Sequence, residues 1–418
     1  MSSFRKRVPA TLPKPPPGTR VNPHSAQLLV STGVPALDDV LGGGLPVGGV
    51  LLVEQDRQTG YSNTLLSYFA SQAVAAGHRL CIVDADREIN PVCQLPGWAN
   101  VSQSAKEPSI AGPKSQSSTK GDETMQIAWR YQNLPKVDGG EDGGSVSPST
   151  TDSVPFCEKF DLSLRIPQAV IDRANIEVID SEAISHAVAS SASDGDMYKC
   201  VLDRVAALID SGFSSLKPLP PNSERNILRI EVRSLGSAFW SCSDPTAVLK
   251  FLHGLRALLR YSYAVCMVSF PAYLYEDAGV RLPLVRRVEH LCDAVIELES
   301  FEGSHATPSS IVARQLKAEA TTNQEYHGFV HIHKLPRLNS LTASTGRLSL
   351  LHTGGGSANN LAFRLRRKRF SIETYHLPIE GGVTERRVPP KEETTRSKRL
   401  PSGAGCGSTP GRNDPLEF

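Results

Sequence analysis

The chain has 418 residues, and its 45 Lys and Arg against 43 Asp and Glu leave a formal net charge of +2. This balance argues against a surface that is basic throughout, so any contact with nucleic acid is expected to be local. Apolar residues make up 39 % of the chain, which predicts a folded core that carries long polar insertions.

Two further features concern the compartment of the protein. The sequence has no stretch near the ~18 consecutive apolar residues of a membrane-spanning helix, and its basic, Pro-rich N-terminus lacks the apolar run of a secretory signal. Its eight cysteines contain no C-x-x-C pair, which favours reduced thiols. We therefore expect a protein of the cytoplasm and nucleus, with no membrane partner.

The predicted elements begin after a Pro-rich tail at residues 1–25, which we expect to be disordered. Apolar spacing, glycines and a proline then define four elements. They are a helix from Ser31 that ends at the glycines 42–44, a strand over 50–54, a helix from Ser62 to Gly77, and a strand over 79–84. Strand, helix and strand in this order predict a right-handed parallel crossover.

The segment between 101 and 155 interrupts this pattern. Its composition shifts to Ser, Gly, Lys, Pro and Asp, apart from the aromatic stretch IAWRYQNLP at 127–135. We predict disordered insertions at 101–125 and 138–153 on either side of one docked segment.

Strands and helices alternate again beyond this insertion. They are predicted as a strand over 176–180, a helix over 198–209, a strand over 226–232, a helix over 245–261, a strand over 263–270, a helix over 283–291 and a strand over 293–299. Alternation of this kind predicts an α/β fold with a mostly parallel sheet flanked by helices.

The C-terminal part of the predicted domain differs from this pattern. A third polar insertion is expected at 302–324. The strand-like runs at 328–335 and 361–376 have no helices beside them and predict antiparallel additions at one edge of the sheet. One domain is thus predicted over 26–378, followed by a disordered tail at 379–418.

The strand and helix at 50–76 form the context in which a phosphate-binding loop occurs, because a helix N-terminus offers unpaired N–H groups to an anion. We therefore compare this turn with the pattern G-x-x-x-x-G-K-[ST]. Gly60 and Ser62 match, whereas Gln55 stands at the first glycine and Tyr61 at the lysine. The residue that neutralises the β- and γ-phosphates is missing.

Two other features weaken this site further. Glu54 and Asp56 place negative charge where triphosphate oxygens would lie. The strand AVCMVSF ends in Ser269 and Phe270, so no Asp follows it to hold magnesium, and the next carboxylate is Glu276. These residues predict a phosphate loop that has lost its function.

Other candidate sites are better explained by structural roles than by function. His331 and His333 would lie on one face of a strand, but no third ligand stands at metal-binding spacing, so packing or surface histidines are favoured. Asp84 and Asp86 follow a strand, as acidic residues commonly do in parallel sheets. The glycines over 42–49 precede their strand, which excludes a dinucleotide-binding loop.

The densest charge cluster has five cations in six residues, namely Arg364, Arg366, Arg367, Lys368 and Arg369. In an extended strand, the first, second and fourth would point to one side and the other two to the opposite side. A solvated edge strand and a nuclear-import patch are two interpretations. Contact with RNA phosphates is the third, and it would make binding sensitive to salt.

Five segments of the chain carry a family resemblance. They are QLLVSTGVPALDDVLGGGLPVGGVLLVEQD (27–56), IAWRYQNLPKV (127–137), FCEKFDLSLR (156–165), GFVHIHKLPR (328–337) and LAFRLRRKRFSIETYHLP (361–378). The first is shared with many RecA-like ATPases, whereas the others are more particular. In this order the segments resemble the family of subunit 4 of the Elongator complex.

The resemblance implies a RecA-like α/β domain with a degenerate nucleotide loop and no catalytic residue. The residues themselves predict no metal site. The resemblance also implies a hetero-hexameric ring with two copies each of subunits 4, 5 and 6, which docks on the catalytic subcomplex of Elongator. That complex installs carboxymethyl-type groups on the wobble uridine, uridine 34, of tRNA, through a radical enzyme that is another subunit. The ring binds tRNA and ATP promotes its release, so we expect ATP only at ring interfaces and no cofactor on this chain alone.

This resemblance favours the RNA interpretation of the basic cluster at 364–369. Two other functions stay open. One is an active RecA-class ATPase, and the other is a pure scaffold without nucleic-acid contact.

Overall fold

A computed structural model of the chain describes residues 15–23, 25–85, 90–98, 154–190, 196–218, 224–240, 244, 246–277, 280–301, 326–341 and 361–375. The predicted insertions, the aromatic stretch between the first two, Asp86 and the C-terminal tail lie outside the described residues. The chain divides into two units, Met1–Tyr375 and His376–Phe418, and every described residue belongs to the first.

Nine strands form the central sheet. In chain order they are β1 (Val50–Glu54), β2 (Arg79–Asp84), β3 (Ile176–Asp180), β4 (Leu228–Arg233), β5 (Ala264–Phe270), β6 (Ala294–Ser300), β7 (Gly328–Lys334), β8 (Leu361–Leu365) and β9 (Phe370–Thr374). Their spatial order is β9-β8-β7-β6-β1-β5-β4-β2-β3. The six strands β6, β1, β5, β4, β2 and β3 are neighbours in this order and run parallel. The other three, β7, β8 and β9, are antiparallel additions beside β6.

Seven helices accompany this sheet among the described residues. They are α1 (Pro35–Val40), α2 (Tyr61–Ala76), α3 (Gln168–Ile171), α4 (Ser181–Ser190), α5 (Met197–Leu208), α6 (Ala247–Arg260) and α7 (Pro283–Leu291). The arrangement confirms the predicted α/β fold with a mostly parallel sheet and antiparallel edge strands, and it is consistent with a RecA-like fold.

Shorter elements complete the described structure. The strands outside the central sheet are Thr19–Val21, Leu28–Val30 and Leu45–Pro46, which pair in that order, Pro96–Trp98 with Phe160–Arg165, and Glu276–Asp277 with Val280–Arg281. Short 3₁₀ helices cover Pro91–Gln94, Ala238–Trp240 and Ala272–Tyr275, and a π-helical turn at Ile209–Phe213 follows α5.

β1 lies between β5 and β6, and all five of its residues are buried. Because side chains alternate along a strand, Leu51 and Val53 join the apolar cluster under α2, and Val50 and Leu52 join the cluster under α6. A strand covered by helices on both faces therefore needs apolar residues at successive positions, as the sequence VLLV provides.

The N-terminal segment differs from the predicted tail at 1–25. Thr19–Val21 pairs with Leu28–Val30 in an antiparallel sheet, and the Nε2 atom of His78 lies 2.8 Å from the carbonyl oxygen of Pro17. Contacts with distant residues order this segment, and its own composition gives no sign of them.

The run 361–376 is not one strand. The N–H of Arg366 donates to the carbonyl oxygen of Arg369 (2.9 Å), and the N–H of Arg369 donates back (3.2 Å). These bonds close a hairpin between β8 and β9 with Arg367 and Lys368 at its tip. The tip lacks the Gly, Asn, Asp or Pro that usually marks such a turn, which is why the sequence predicts an uninterrupted strand.

Two further expectations, on disulfide bonds and on membrane-spanning helices, are compared with the described residues. The six described cysteines are all free, as expected for reduced thiols; they are Cys81, Cys93, Cys157, Cys200, Cys266 and Cys292. Among the residues that the structure describes, no helix is long and apolar enough to cross a membrane.

Candidate functional site

The loop between β1 and α2 holds the residues compared above with a phosphate-binding motif. The Nε2 atom of Gln55 donates to the hydroxyl oxygens of Ser234 (3.0 Å) and Ser269 (2.9 Å), and its backbone N–H donates to the carbonyl oxygen of Phe270 (2.9 Å). Gln55 therefore ties β1 to the ends of the neighbouring strands. It does so from the position where a phosphate loop has its first glycine.

The rest of this loop closes on itself through Asp56. Its carboxylate accepts hydrogen bonds from the hydroxyl of Thr59 (3.0 Å) and the N–H of Gln58 (3.3 Å). Gly60 is exposed at the N-terminal end of α2, where no side chain caps the helix, and Ser62 is buried. The carboxylate of Asp56 thus has its hydrogen-bond donors within the loop.

Tyr61 stands where the motif has its lysine, and its ring faces the antiparallel edge of the sheet. The ring packs edge-to-face against Phe363 of β8, with centroids 4.8 Å apart, and lies 6.2 Å from the ring of His327. The side chain is therefore part of an aromatic contact between α2 and β8.

Arg57 is a loop cation that the motif comparison does not assign. It is exposed, and its guanidinium carbon lies 6.0 Å from the ring centroid of Tyr273. The phosphate-loop pattern has its lysine directly after the second glycine. Arg57 lies before that glycine, so the pattern does not identify it as a phosphate-binding residue.

Asp84, one of the two carboxylates predicted at the end of β2, belongs to an ion-pair group. The Nε atom of Arg233 lies 4.0 Å from Asp84 and 2.6 Å from Glu231. Glu231 is fully buried, and burial raises its pKa against the opposing charge of Arg233. Asp84 therefore has a structural partner in the described part of the chain.

The histidines of β7 pair individually with carboxylates of β6. His331 Nε2 lies 2.8 Å from Glu299, and His333 Nε2 lies 2.7 Å from Glu297. The hydrogen bond that His333 donates to the carboxylate of Glu297 raises the pKa of His333. Sequence spacing does not reveal these partners, because β6 and β7 are separated by a long insertion.

The predicted basic cluster divides into two parts. Arg364, on β8, makes two hydrogen bonds to the carboxylate of Glu373 (3.0 and 2.9 Å). The other four cations occupy the hairpin turn between β8 and β9, named the basic loop (residues 366–369), and all four are exposed. The expected alternation of five cations over two strand faces is therefore wrong, because only Arg364 lies in a strand.

The basic loop is held in place from two sides. The N–H of Leu162 donates to the carbonyl oxygen of Lys368 (2.8 Å), and Lys368 Nζ lies 3.6 Å from Asp161. Directly after the loop, the N–H of Phe370 donates to the hydroxyl oxygen of Tyr68 on α2 (3.1 Å). The loop thus has a fixed base while its side chains face solvent.

Residues of the first resembling segment form a buried polar group around Asp38. Its carboxylate accepts hydrogen bonds from the hydroxyl of Ser31 and from the N–H (2.7 Å) and hydroxyl (2.8 Å) of Thr32. Burial raises the pKa of Asp38 to about 6 despite these bonds. The fully buried Arg229 donates to the carbonyl oxygen of Ser31 (2.7 Å). This group fastens α1 to the sheet.

Comparisons with known proteins agree with this structure. A family model described as PAXNEB protein matches residues 12–406. The chain is 33 % identical to Elongator complex protein 4 of Xenopus laevis, over 100 % of this chain and 95 % of that protein. It is also 33 % identical to the proteins of that name from Homo sapiens and Mus musculus, over 96 % of this chain and 88 % of each.

Proposed function

The chain belongs to the family of Elongator complex protein 4, and from this we propose that it is a non-catalytic, RecA-like accessory subunit that helps the Elongator complex to hold tRNA. In this proposal it assembles a hetero-hexameric ring with Elongator subunits 5 and 6, in the cytoplasm and nucleus. The ring docks on the catalytic subcomplex and supports addition of carboxymethyl-type groups to the wobble uridine.

The observation that carries the tRNA part is the exposed basic loop. Arg366, Arg367 and Arg369 form no ion pair with any described residue, and Lys368 has only the distant carboxylate of Asp161. Four neighbouring cations on a short turn can approach several phosphates of one backbone, and each neutralised phosphate releases counterions.

The position of the basic loop supports this function further. Tyr61 and Tyr68 of α2 contact the hairpin on the two strands that flank the loop, through Phe363 and Phe370 respectively. Because the backbone of this loop is already ordered, its cations can bind phosphates without the loss of backbone entropy that a free tail would suffer on binding.

The absence of catalysis rests on the loop before α2. Gln55 and Tyr61 both have structural partners where a phosphate loop needs a glycine and a lysine. Asp56 adds a negative charge beside them. We propose that any ATP in the ring lies at an interface to which a neighbouring subunit brings the phosphate-binding groups.

The tRNA proposal is tested by charge reversal in the basic loop. The complex recovered with R366E/R367E is expected to bind tRNA roughly tenfold more weakly, with a salt slope reduced by about 1.4–1.8. R286E/R287E is the matched control, because Arg286 and Arg287 are also adjacent, exposed arginines but lie on α7. Fluorescence anisotropy over a salt series measures both quantities.

Equal losses in the two double variants would show a general effect of charge. Unchanged binding in both would favour the scaffold without nucleic-acid contact. The ring itself is tested by native mass spectrometry of the complex recovered with a tagged copy of this chain. Six protomers of three kinds are expected, and a monomer or homo-oligomer would contradict the assembly.

A further inference from the structure

Three side chains that commonly bind metals meet at the end of β1. Glu54 of β1, Glu297 of β6 and His333 of β7 each bring one ligand atom, and these atoms all lie within 4.8 Å of one another. They come from three adjacent strands, with Glu54 and Glu297 in register on parallel neighbours. The fold therefore assembles a set that no sequence motif encodes.

A β-bulge positions the histidine of this set. Val295 pairs with Lys334 and Ile296 pairs with Ile332, so His333 is the extra residue of β7. Bulges redirect side chains and are common next to functional sites. This one lets His333 Nε2 reach the carboxylate of Glu297 at 2.7 Å.

The buried carboxylate of Glu54 lacks its ordinary partners. Its side chain is 1 % exposed, and neither oxygen accepts a hydrogen bond from any described residue. In the part of the chain that the structure describes, its one ion pair is with Arg281 Nη1 at 3.1 Å. Buried carboxylates are normally well hydrogen-bonded, so one that is not calls for a bound proton or a cation.

Charge around Arg281 is also unbalanced. Its guanidinium lies near four carboxylates, those of Glu54 (3.1 Å), Glu276 (3.8 Å), Glu289 (3.2 Å) and Glu297 (2.6 Å). Even with a charged His333 beside Glu297, two positive charges face four carboxylates, so a further cation would be attracted to the group.

We propose that Glu54, Glu297 and His333 bind one divalent cation. Two carboxylates and one imidazole suit ions of the Mn²⁺ and Fe²⁺ class better than Ca²⁺, which prefers oxygen ligands alone. On binding, His333 Nε2 gives its lone pair to the metal and the ring proton resides on Nδ1. Arg281 keeps Glu276 and Glu289 as partners while it releases the other two. The proposal does not depend on tRNA binding.

The test is titration of the tagged, assembled complex with Mn²⁺, in which electron paramagnetic resonance measures the free ion. H333Q, E297Q and E54Q are each expected to remove one Mn²⁺ per copy of this chain, or to weaken that site by about tenfold or more. His333 is 31 % exposed, so its replacement least disturbs the core and keeps the test decisive if the Glu54 variant does not fold.

Two further variants separate a metal site from an ion-pair network. H331Q is the matched control, because the pair of His331 with Glu299 lies on the same two strands but is not part of the three-ligand set. It is expected to bind Mn²⁺ as the unmodified chain does. R281Q removes a competing cation and is expected to strengthen binding several-fold.

Equal Mn²⁺ binding by the unmodified and H333Q complexes, or equal losses in H331Q and H333Q, would overturn the proposal. Weaker binding in R281Q would also contradict it, since it would show that Arg281 supports the site.

Discussion

The ring of Tyr61 packs edge-to-face on the ring of Phe363, with their centroids 4.8 Å apart. Tyr61 begins α2 at the position where phosphate-binding loops have a lysine, and Phe363 lies on β8 three residues before the basic loop. This contact joins the first turn of α2 to the hairpin. Tyr61 therefore has a structural role at the start of α2.

Tyr61→Lys is expected to lower the free energy of unfolding by about 1–2 kcal/mol, because it removes an aromatic pair and its partly buried surface. It is not expected to give ATP hydrolysis, since Gln55 and Ser269 keep their places in the loop and at the end of β5. Denaturant unfolding and a phosphate-release assay measure the two effects. Tyr261→Lys, at a tyrosine 61 % exposed, is the control and is expected to stay within about 0.5 kcal/mol. ATP turnover by the first variant would show that only the lysine is missing.

Asp38 is expected to be far more important for stability than its neighbour Asp39. Asp38→Ala removes the acceptor of the buried N–H of Thr32 and of the buried hydroxyl of Ser31, and we expect a loss of about 3 kcal/mol. Asp39 is only partly buried, and Asp39→Ala is expected to cost less than about 1 kcal/mol. Urea unfolding of both variants measures the difference, and equal costs would contradict the assigned role.

Gly60, before α2, and Gly328, at the start of β7, are expected to respond differently to alanine. A Cβ at Gly328 would lie 2.2 Å from the carbonyl oxygen of Glu299 and 2.5 Å from the ring of Phe363, whereas a Cβ at Gly60 would meet nothing within 4 Å. Gly328→Ala is expected to destabilise the chain by more than about 3 kcal/mol, since backbone must move. Gly60→Ala is expected to stay within about 1 kcal/mol. Thermal melting compares them, and a tolerated alanine at 328 would refute the close packing.

The stability of the chain is expected to depend on pH through His78. Its Nδ1 accepts from Arg229 Nε (3.0 Å), and its Nε2 lies 2.8 Å from the carbonyl oxygen of Pro17, so the neutral ring uses both nitrogens. Burial, and then the charge of Arg229, lowers the pKa of His78 from 6.5 to about 3. As the pH falls, His78 is therefore protonated in the unfolded chain at a higher pH than in the folded chain. The stability due to neutral His78 is present above pH 6.5 and falls by about 1.4 kcal/mol per pH unit as pH approaches 3.

His78→Gln is expected to remove this dependence. Asp38 and Glu54 act in the opposite direction, because their pKa values are raised to about 6 and about 7. The useful quantity is thus the difference in unfolding free energy between the unmodified chain and the variant, from pH 8 to pH 5. It should be constant above pH 7 and shrink below it. A difference that stays constant to pH 5 would mean that His78 is protonated in the folded chain.

Local signals predict the parallel part of the sheet well. Apolar runs and helix ends place β1, β2 and α7 at the bounds that the structure shows, because these elements are specified by their own periodicity and caps. The β8–β9 hairpin is mistaken for one strand because its tip, Arg367 and Lys368, uses neither glycine nor asparagine.

Long-range juxtapositions could not be predicted in the same way. The spacing of His331 and His333 reveals no third ligand, yet the fold brings Glu54 and Glu297 to the second histidine. Similarly, nothing local to Gln55 indicates that Ser234 and Ser269 will bind its amide. These groups depend on strand order, which a single sequence specifies only through the packing of the whole sheet.

The central place of β1 has a consequence for synthesis of the chain. Its two neighbours, β5 and β6, begin more than 200 residues later. At about 5–20 residues per second, roughly 10–40 s pass between translation of β1 and of β5. During that interval an apolar strand lacks both ladders that cover it in the finished sheet. We therefore expect folding to be slow, because β1 must wait for strands that are made much later.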